Sequence, residues 1–256
     1  MRHLYQICNR LTIRGTLLLT VLTVGLQADN NNHGVTANLR GCTELIGFGP
    51  VAFAPAQSLV PHGYTLIPFN GAAGLVVRAS HCEGVSVNGL PEKPATVAQA
   101  GIAIVSPDGT GDINNYTLLY ATDNEQLALL LNLEGLPAVL DRAAAYEFTP
   151  DSTGHGEVYV AVSPIVQPSW FLTGAADPPP SGGAPVVANW WFNGSRGVLK
   201  MATSIPSISY GAASFTLHTS KLSLVGSLIG GNTDASFVFF NARGVFGSGN
   251  LAVSVK

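Results

Sequence analysis

From Leu39 onward the chain alternates short apolar runs with turn residues, and almost none of the runs is long enough for a helix. Gly74–Ser80, Gly101–Ser106 and Val186–Phe192 are apolar and β-branched. Glu157–Ser163 alternates Val158, Val160 and Val162, the period of a half-buried strand. Leu45–Phe53, Tyr64–Phe69, Ala143–Phe148, Trp170–Thr173, Val198–Thr203, Ser207–Tyr210, Ser214–His218, Phe237–Phe240 and Leu251–Val255 extend the same pattern. Asn70-Gly71 and Asn193-Gly194 are hairpin signals, because Asn and Gly tolerate the left-handed backbone of tight turns. Gln57–Gly63 reads as one helical turn or a loop, and Leu222–Ile229 as a short helix stopped by Gly230-Gly231.

Tyr116–Asp141 is the best punctuated stretch. It opens as a strand, Tyr116–Tyr120, and Thr122 stands three residues before Glu125, the spacing of a capping box. Leu127, Leu130 and Leu131 follow at helical spacing. Gly135 then supplies a left-handed stop, and Pro137 forbids continuation. Strands this numerous, with one well-signalled helix and no repeat, predict a mainly β protein with minor α content, as a large barrel or a sandwich. Asp177–Gly183 is rich in Pro and Gly and reads either as a domain linker or as a long surface loop of one domain; its short, strand-like flanks favour the loop.

Composition adds exclusions. Charged residues make up 11% of 256, against about 25% in typical soluble domains. A net charge of −3 supplies no basic footprint for nucleic acid. The N-terminus carries Arg2, Arg10 and Arg14 ahead of the apolar run Thr16–Val24, then a small residue at Ala28 and a polar tract. That arrangement predicts a secretory leader over 1–28, with a retained anchor as the alternative; the run is short for a membrane span. The expected organisation is a leader at 1–28, a disordered segment at 29–38 and one domain at 39–256, secreted or periplasmic and without stable membrane insertion. Leader removal takes Cys8 and leaves Cys42 and Cys82, which predicts a Cys42–Cys82 disulfide in an oxidising compartment.

Chemistry is sparse. The histidines show no ligand spacing, so no metal is expected, and no motif implies a cofactor. Lys200 lies in a strand and reads either as an amine nucleophile facing an interior or as an ordinary strand lysine. Trp190 and Trp191 occupy successive strand positions, so one faces inward and the other outward. Together with Tyr116 and Tyr120 they are candidates for lining an apolar ligand site, or plain core.

Tyr116-x-Leu-x-x-Tyr120, Asp123-Asn-Glu125, the amphipathic helix and Gly135-Leu-Pro137 together resemble the acetoacetate decarboxylase family, as does the early Val60-Pro61. The layout of Leu228–Val255 is similar to that family's closing segments. The resemblance implies a large antiparallel β-barrel around an apolar cavity, with one or two short helices. It also implies a departure. The position of the family's Schiff-base lysine is Ala138, and the neighbouring lysine falls at Val139. The family's glutamate falls near Gln99, and its arginine close to Arg40. A methyl group forms no imine, so the family reaction lacks its first step at this position. The leading expectation is therefore a barrel binding a small apolar or carbonyl-bearing molecule, with Tyr116, Tyr120, Trp190, Trp191 and Ala138 around it. The alternatives are a divergent enzyme acting on a keto acid, using Arg40, Glu44, Gln99 or Lys200, and a purely structural barrel. Self-association is compatible with all three.

Overall fold

The computed structural model describes residues 34–162 and 170–256. The expected leader and residues 29–33 lie outside these, as does Ser163. Residues 34–256 form one compact unit. Thr36–Asn38, expected in a disordered segment, instead open the first strand, where Ala37 is buried.

In chain order the elements are β1 (Thr36–Val51), α1 (Phe53–Leu59), β2 (Ala73–Val87), β3 (Lys93–Ala103), β4 (Ile113–Thr122), α2 (Glu125–Leu133), β5 (Val139–Leu140), β6 (Ala145–Pro150), β7 (Gly156–Val162), β8 (Trp170–Ala176), β9 (Ala184–Gly194), β10 (Gly197–Thr219), α3 (Leu224–Leu228), β11 (Asp234–Ser236) and β12 (Phe240–Val255). Strands β12, β1, β2, β3, β4, β9 and β10 pair in that order, and β10 pairs back onto β12. The ring of hydrogen bonds closes. Closure removes the exposed edges that an open sheet of this size would present.

The ring is antiparallel except at one seam. There β4 runs parallel to β9 from Ile113↔Ala188 to Tyr116↔Trp191, while β5 pairs parallel with β4 further along. The second half of β10 leaves the ring and joins β8, β7, β6 and β11 in an outer sheet. Its register against β9 shifts between Ile205 and Ile208, around Pro206, which has no N–H to donate to a ladder. Tyr64–Phe69, expected as a strand, makes only isolated bridges, although Asn70-Gly71 does form the expected tight turn between Phe69 and Ala72.

Both faces of the ring are buried along most of β2, β3 and β4, in keeping with the scarcity of charge. Leu45, Val77, Ala79, Ala98 and Ala100 point outward into a core shared with Val158, Val160 and Leu172 of the outer sheet. Tyr120, Leu127, Trp190, Met201 and Leu251 belong to a second, inner core.

The central helix starts later than its sequence signal. Asn124, not Thr122, caps α2, its side chain accepting from Leu127 N at 3.0 Å. Thr122 Oγ1 donates instead to the Thr96 carbonyl of β3 at 2.8 Å and accepts from Asn124 N. The C-terminus behaves as the sequence predicts: Gly135 sits at φ +97°, and the N–H groups of Gly135 and Leu136 return to the carbonyls of Asn132 and Leu131.

Candidate functional site

Among the described residues, the barrel interior carries a charged cluster built on Glu44 and Arg78. Glu44 on β1 and Arg78 on β2 both face inward; each stands out in an otherwise apolar run. Arg78 Nε and Nη2 each lie 2.7 Å from Glu44 Oε2, and Nη1 donates to Gln99 Oε1 on β3 at 2.8 Å. The Glu44 and Arg78 side chains are only 2% and 11% exposed. Each nitrogen of the guanidinium therefore already meets a protein acceptor. That pairing is what makes two charges tolerable inside the barrel, because an unpaired charge there would carry the full desolvation cost.

The second Glu44 oxygen, Oε1, faces Tyr210 of β10, whose Oη stands 3.5 Å away. Burial and the Glu44 charge both push the Tyr210 phenol well above its ordinary range, so it stays a neutral donor. Tyr120, in register with Gln99, is also pushed up by burial.

Above this cluster a cleft of about 350 Å³ opens at the barrel mouth, near the lower end of the size of small-molecule sites. Ile46, Phe48, Ile67, Phe69, Val76 and Phe240 give it an apolar lining, and Tyr210 stands at its inner end. Phe48 packs edge-on against Phe69 with ring centroids 4.7 Å apart, which stiffens one wall. Beneath the cleft, and sharing Ile46, Val76, Asn115 and Tyr210 with it, lies a cavity of about 30 Å³ bounded by Glu44, Arg78 and Trp190. A second of similar size, beyond Arg78 and Gln99, is bounded by Tyr120 and Leu127. Each small cavity has room for about one water.

The expected site residues divide between the two faces of the ring. Gln99, Tyr120 and Trp190 face inward with Glu44. Trp191 faces the other way, as alternation along a strand requires, and its Nε1 donates to Asn114 Oδ1 at 2.9 Å. Tyr116 also lies in the outer core, against Tyr64 and Phe192. Tyr116 and Tyr120 would share a face in a regular strand, but β4 carries a bulge opposite the Ala100–Gly101 step that leaves Leu118 unpaired and flips the alternation. Ala138 is buried in the inner core with Leu131 and Leu136, and its carbonyl accepts from Asn132 Nδ2.

Arg40 is away from the interior. Its side chain is 56% exposed and pairs with Glu83 and Glu92. Lys200 lies on the outer face, 2.8 Å from Asp108 and over the Trp191 ring at 5.1 Å. Of the remaining lysines, Lys93, Lys221 and Lys256 are exposed. Among the described residues, which include all four lysines, no lysine amine reaches the barrel interior.

Sequence reasoning passed over Arg78 and Tyr210, and noted Asn115 only as the start of an Asn-Tyr-Thr glycosylation triplet, a residue the fold buries at 1% exposure. Arg78 had a signal: a lone arginine inside Leu-Val-Val-Arg-Ala-Ser must find a buried partner if the run is a core strand. Tyr210 and Asn115 had none, because only the closure of the ring brings β10 and β4 to the same mouth.

No family model and no curated protein matches the chain by sequence. Solved structures do match by shape. An acetoacetate decarboxylase from Legionella pneumophila is 10% identical with a TM-score of 0.52, over 86% of this chain and 84% of that one. An acetoacetate decarboxylase-like enzyme from Sphingomonas wittichii RW1 is 12% identical with a TM-score of 0.52, over 92% and 96%. The enduracididine biosynthesis enzyme MppR, solved with pyruvate, is 13% identical with a TM-score of 0.51, over 90% and 92%. At these identities the likeness concerns the fold, and the chain has the acetoacetate decarboxylase-like fold.

Proposed function

We propose that this chain is a secreted or periplasmic binding barrel that takes a small, mainly apolar molecule, with or without a carbonyl group, into the cleft at its mouth. The observation that supports this most is the cleft itself, about 350 Å³ with a mainly apolar lining, Asp112 at its exposed rim, and a polar inner end where Tyr210 and Asn115 adjoin the cavity beside Glu44. The Cys42–Cys82 disulfide fits an oxidising compartment, and among the described residues no helix is long and apolar enough to cross a membrane.

Schiff-base decarboxylation does not fit the residues at hand. Ala138 offers no amine, and Lys200 is held by Asp108 on the opposite face of the ring. The buried Glu44–Arg78 pair keeps a second reading open: a divergent enzyme acting on a keto acid without an imine.

Calorimetric titration with ketones and hydrocarbons of about ten heavy atoms tests the binding reading. Saturable binding that Ile113→Trp abolishes is the expected result, since Ile113 lines the cleft and is exposed enough to take a larger ring. No binding by any member of the series sinks the reading. Borohydride treatment with a β-keto acid followed by intact mass measurement tests the rival: a covalent lysine adduct, or turnover of the keto acid, would replace the binder with an enzyme.

A further inference from the structure

The polar end of the cleft selects among ligand chemistries. Glu44 and Arg78 neutralise one another, and each guanidinium nitrogen already points at Glu44 or Gln99. An incoming carboxylate at this end therefore meets a guanidinium whose charge Glu44 already neutralises, and an incoming ammonium meets an anion that Arg78 already compensates; the other carboxylate lining the cleft, Asp112, stands exposed at its rim. Burying either would leave a net charge in an apolar enclosure.

Acceptors, by contrast, are underused. Glu44 Oε1 receives only the long 3.5 Å contact from Tyr210 Oη. Asn115, 1% exposed, lines both the cleft and the cavity under it, and its Oδ1 is buried without a partner. A buried acceptor left unmade costs stability that a ligand donor would return.

Resting on the binding reading above, we propose that the barrel's ligand is a neutral, mainly apolar molecule bearing a hydroxyl group, which donates to Asn115 Oδ1. A simple ketone lacks the donor, and a keto acid adds an anion. The hydroxyl is the smallest neutral group that supplies what the site lacks, and it also leaves the Tyr210 phenol free to donate to the ligand oxygen.

Four compounds that share one hydrocarbon frame separate the chemistries: 4-phenylbutan-1-ol, 4-phenylbutylamine, 4-phenylbutanoate and butylbenzene. Titrated calorimetrically at pH 7 against the unmodified chain, the alcohol is expected to bind about tenfold tighter than each of the others, the discrimination that one or two recovered buried hydrogen bonds supply. Asn115→Leu should bring the alcohol to within about twofold of butylbenzene while leaving butylbenzene unweakened. Tightest binding by the carboxylate or the ammonium, or equal binding by all four, overturns the hydroxyl assignment but leaves the cleft as a binding site. An Asn115→Leu variant that keeps its preference for the alcohol also overturns it. Failure of all four to bind overturns the assignment together with the binding reading itself. The series on the unmodified chain decides the matter even where the variant does not fold.

Discussion

Tyr210 Oη lies 3.5 Å from Glu44 Oε1 across a residue with no side chain, Gly244, which pairs with Glu44 on one side and with Tyr210 on the other. The three stand in one row across β10, β12 and β1, and the contact exists because the middle position is empty. A methyl group at Gly244 would come within 2.8 Å of Ile208 Cδ1, 2.9 Å of Tyr210 Cε1 and 3.0 Å of Glu44 Cγ. Gly244→Ala therefore overpacks the inner core. It should lower unfolding stability by about 1–3 kcal/mol, read as a shift in the urea midpoint at unchanged slope. An unchanged midpoint would mean that the row relaxes freely.

Removing one member of the buried ion pair should be far worse than removing both. Arg78→Met leaves Glu44 charged inside the barrel, an expected loss of about 3–5 kcal/mol. Combining it with Glu44→Met replaces the pair by packing groups and should recover most of that loss. Denaturant unfolding of the two single variants and the double variant closes the cycle. A double variant as unstable as Arg78→Met would show that the cluster contributes through Gln99 and Tyr210 as well.

On the outer face, Lys200, then Thr110, then Lys256 hold the Asp108 carboxyl well below the ordinary carboxylate range. A carboxyl whose folded pKa is depressed contributes stability above its unfolded value, near 3.9, and loses it as pH falls from there toward the folded value. The stability gap between the unmodified chain and Asp108→Asn should therefore be present at pH 7 and shrink below about pH 4. Denaturant unfolding at pH 7 and pH 3 measures it. A gap that is constant with pH would show that the contacts act without the charge.

Cys42 and Cys82 face one another directly between β1 and β2, bridged, with a sequence separation of 40. Reduction, or replacement of both by serine, should cost about 3–4 kcal/mol on the chain-entropy view of a loop of this length. Thermal unfolding with and without reductant measures the loss. The pairing itself was legible in the sequence, because discounting Cys8, in the segment expected to be a leader, leaves one partner for each of the two that remain.

Other features were legible to the extent that they are local. The Asn70-Gly71 turn and the Gly135 stop depend on residues that tolerate positive φ, and both stand where the sequence places them. The start of α2 was misplaced by two residues because Thr122 spends its hydroxyl on the Thr96 carbonyl, a contact made only once β3 lies beside β4. Alternation placed Trp190 and Trp191 on opposite faces, but it could not anticipate the bulge at Leu118 that sends Tyr116 outward and Tyr120 inward. The interior cluster was half visible. Glu44 and Gln99 were candidates, yet Arg78, which binds them together, reads in sequence as a stray charge in a strand.

The parallel seam between β4 and β9 is short, ending within one turn of pleat on either side of Asn114 and Asn115, whereas β1 and β2 pair from Ala37 to Val51. A closed ring breathes first where its ladder has the fewest rungs. Backbone amides of Ile113–Tyr116 and Ala188–Trp191 should accordingly exchange with deuterium ahead of those in β1 and β2. Ile113, Asn115 and Val186 line the cleft beside that seam, so the zipper that parts most easily is also the doorway through which a guest would pass.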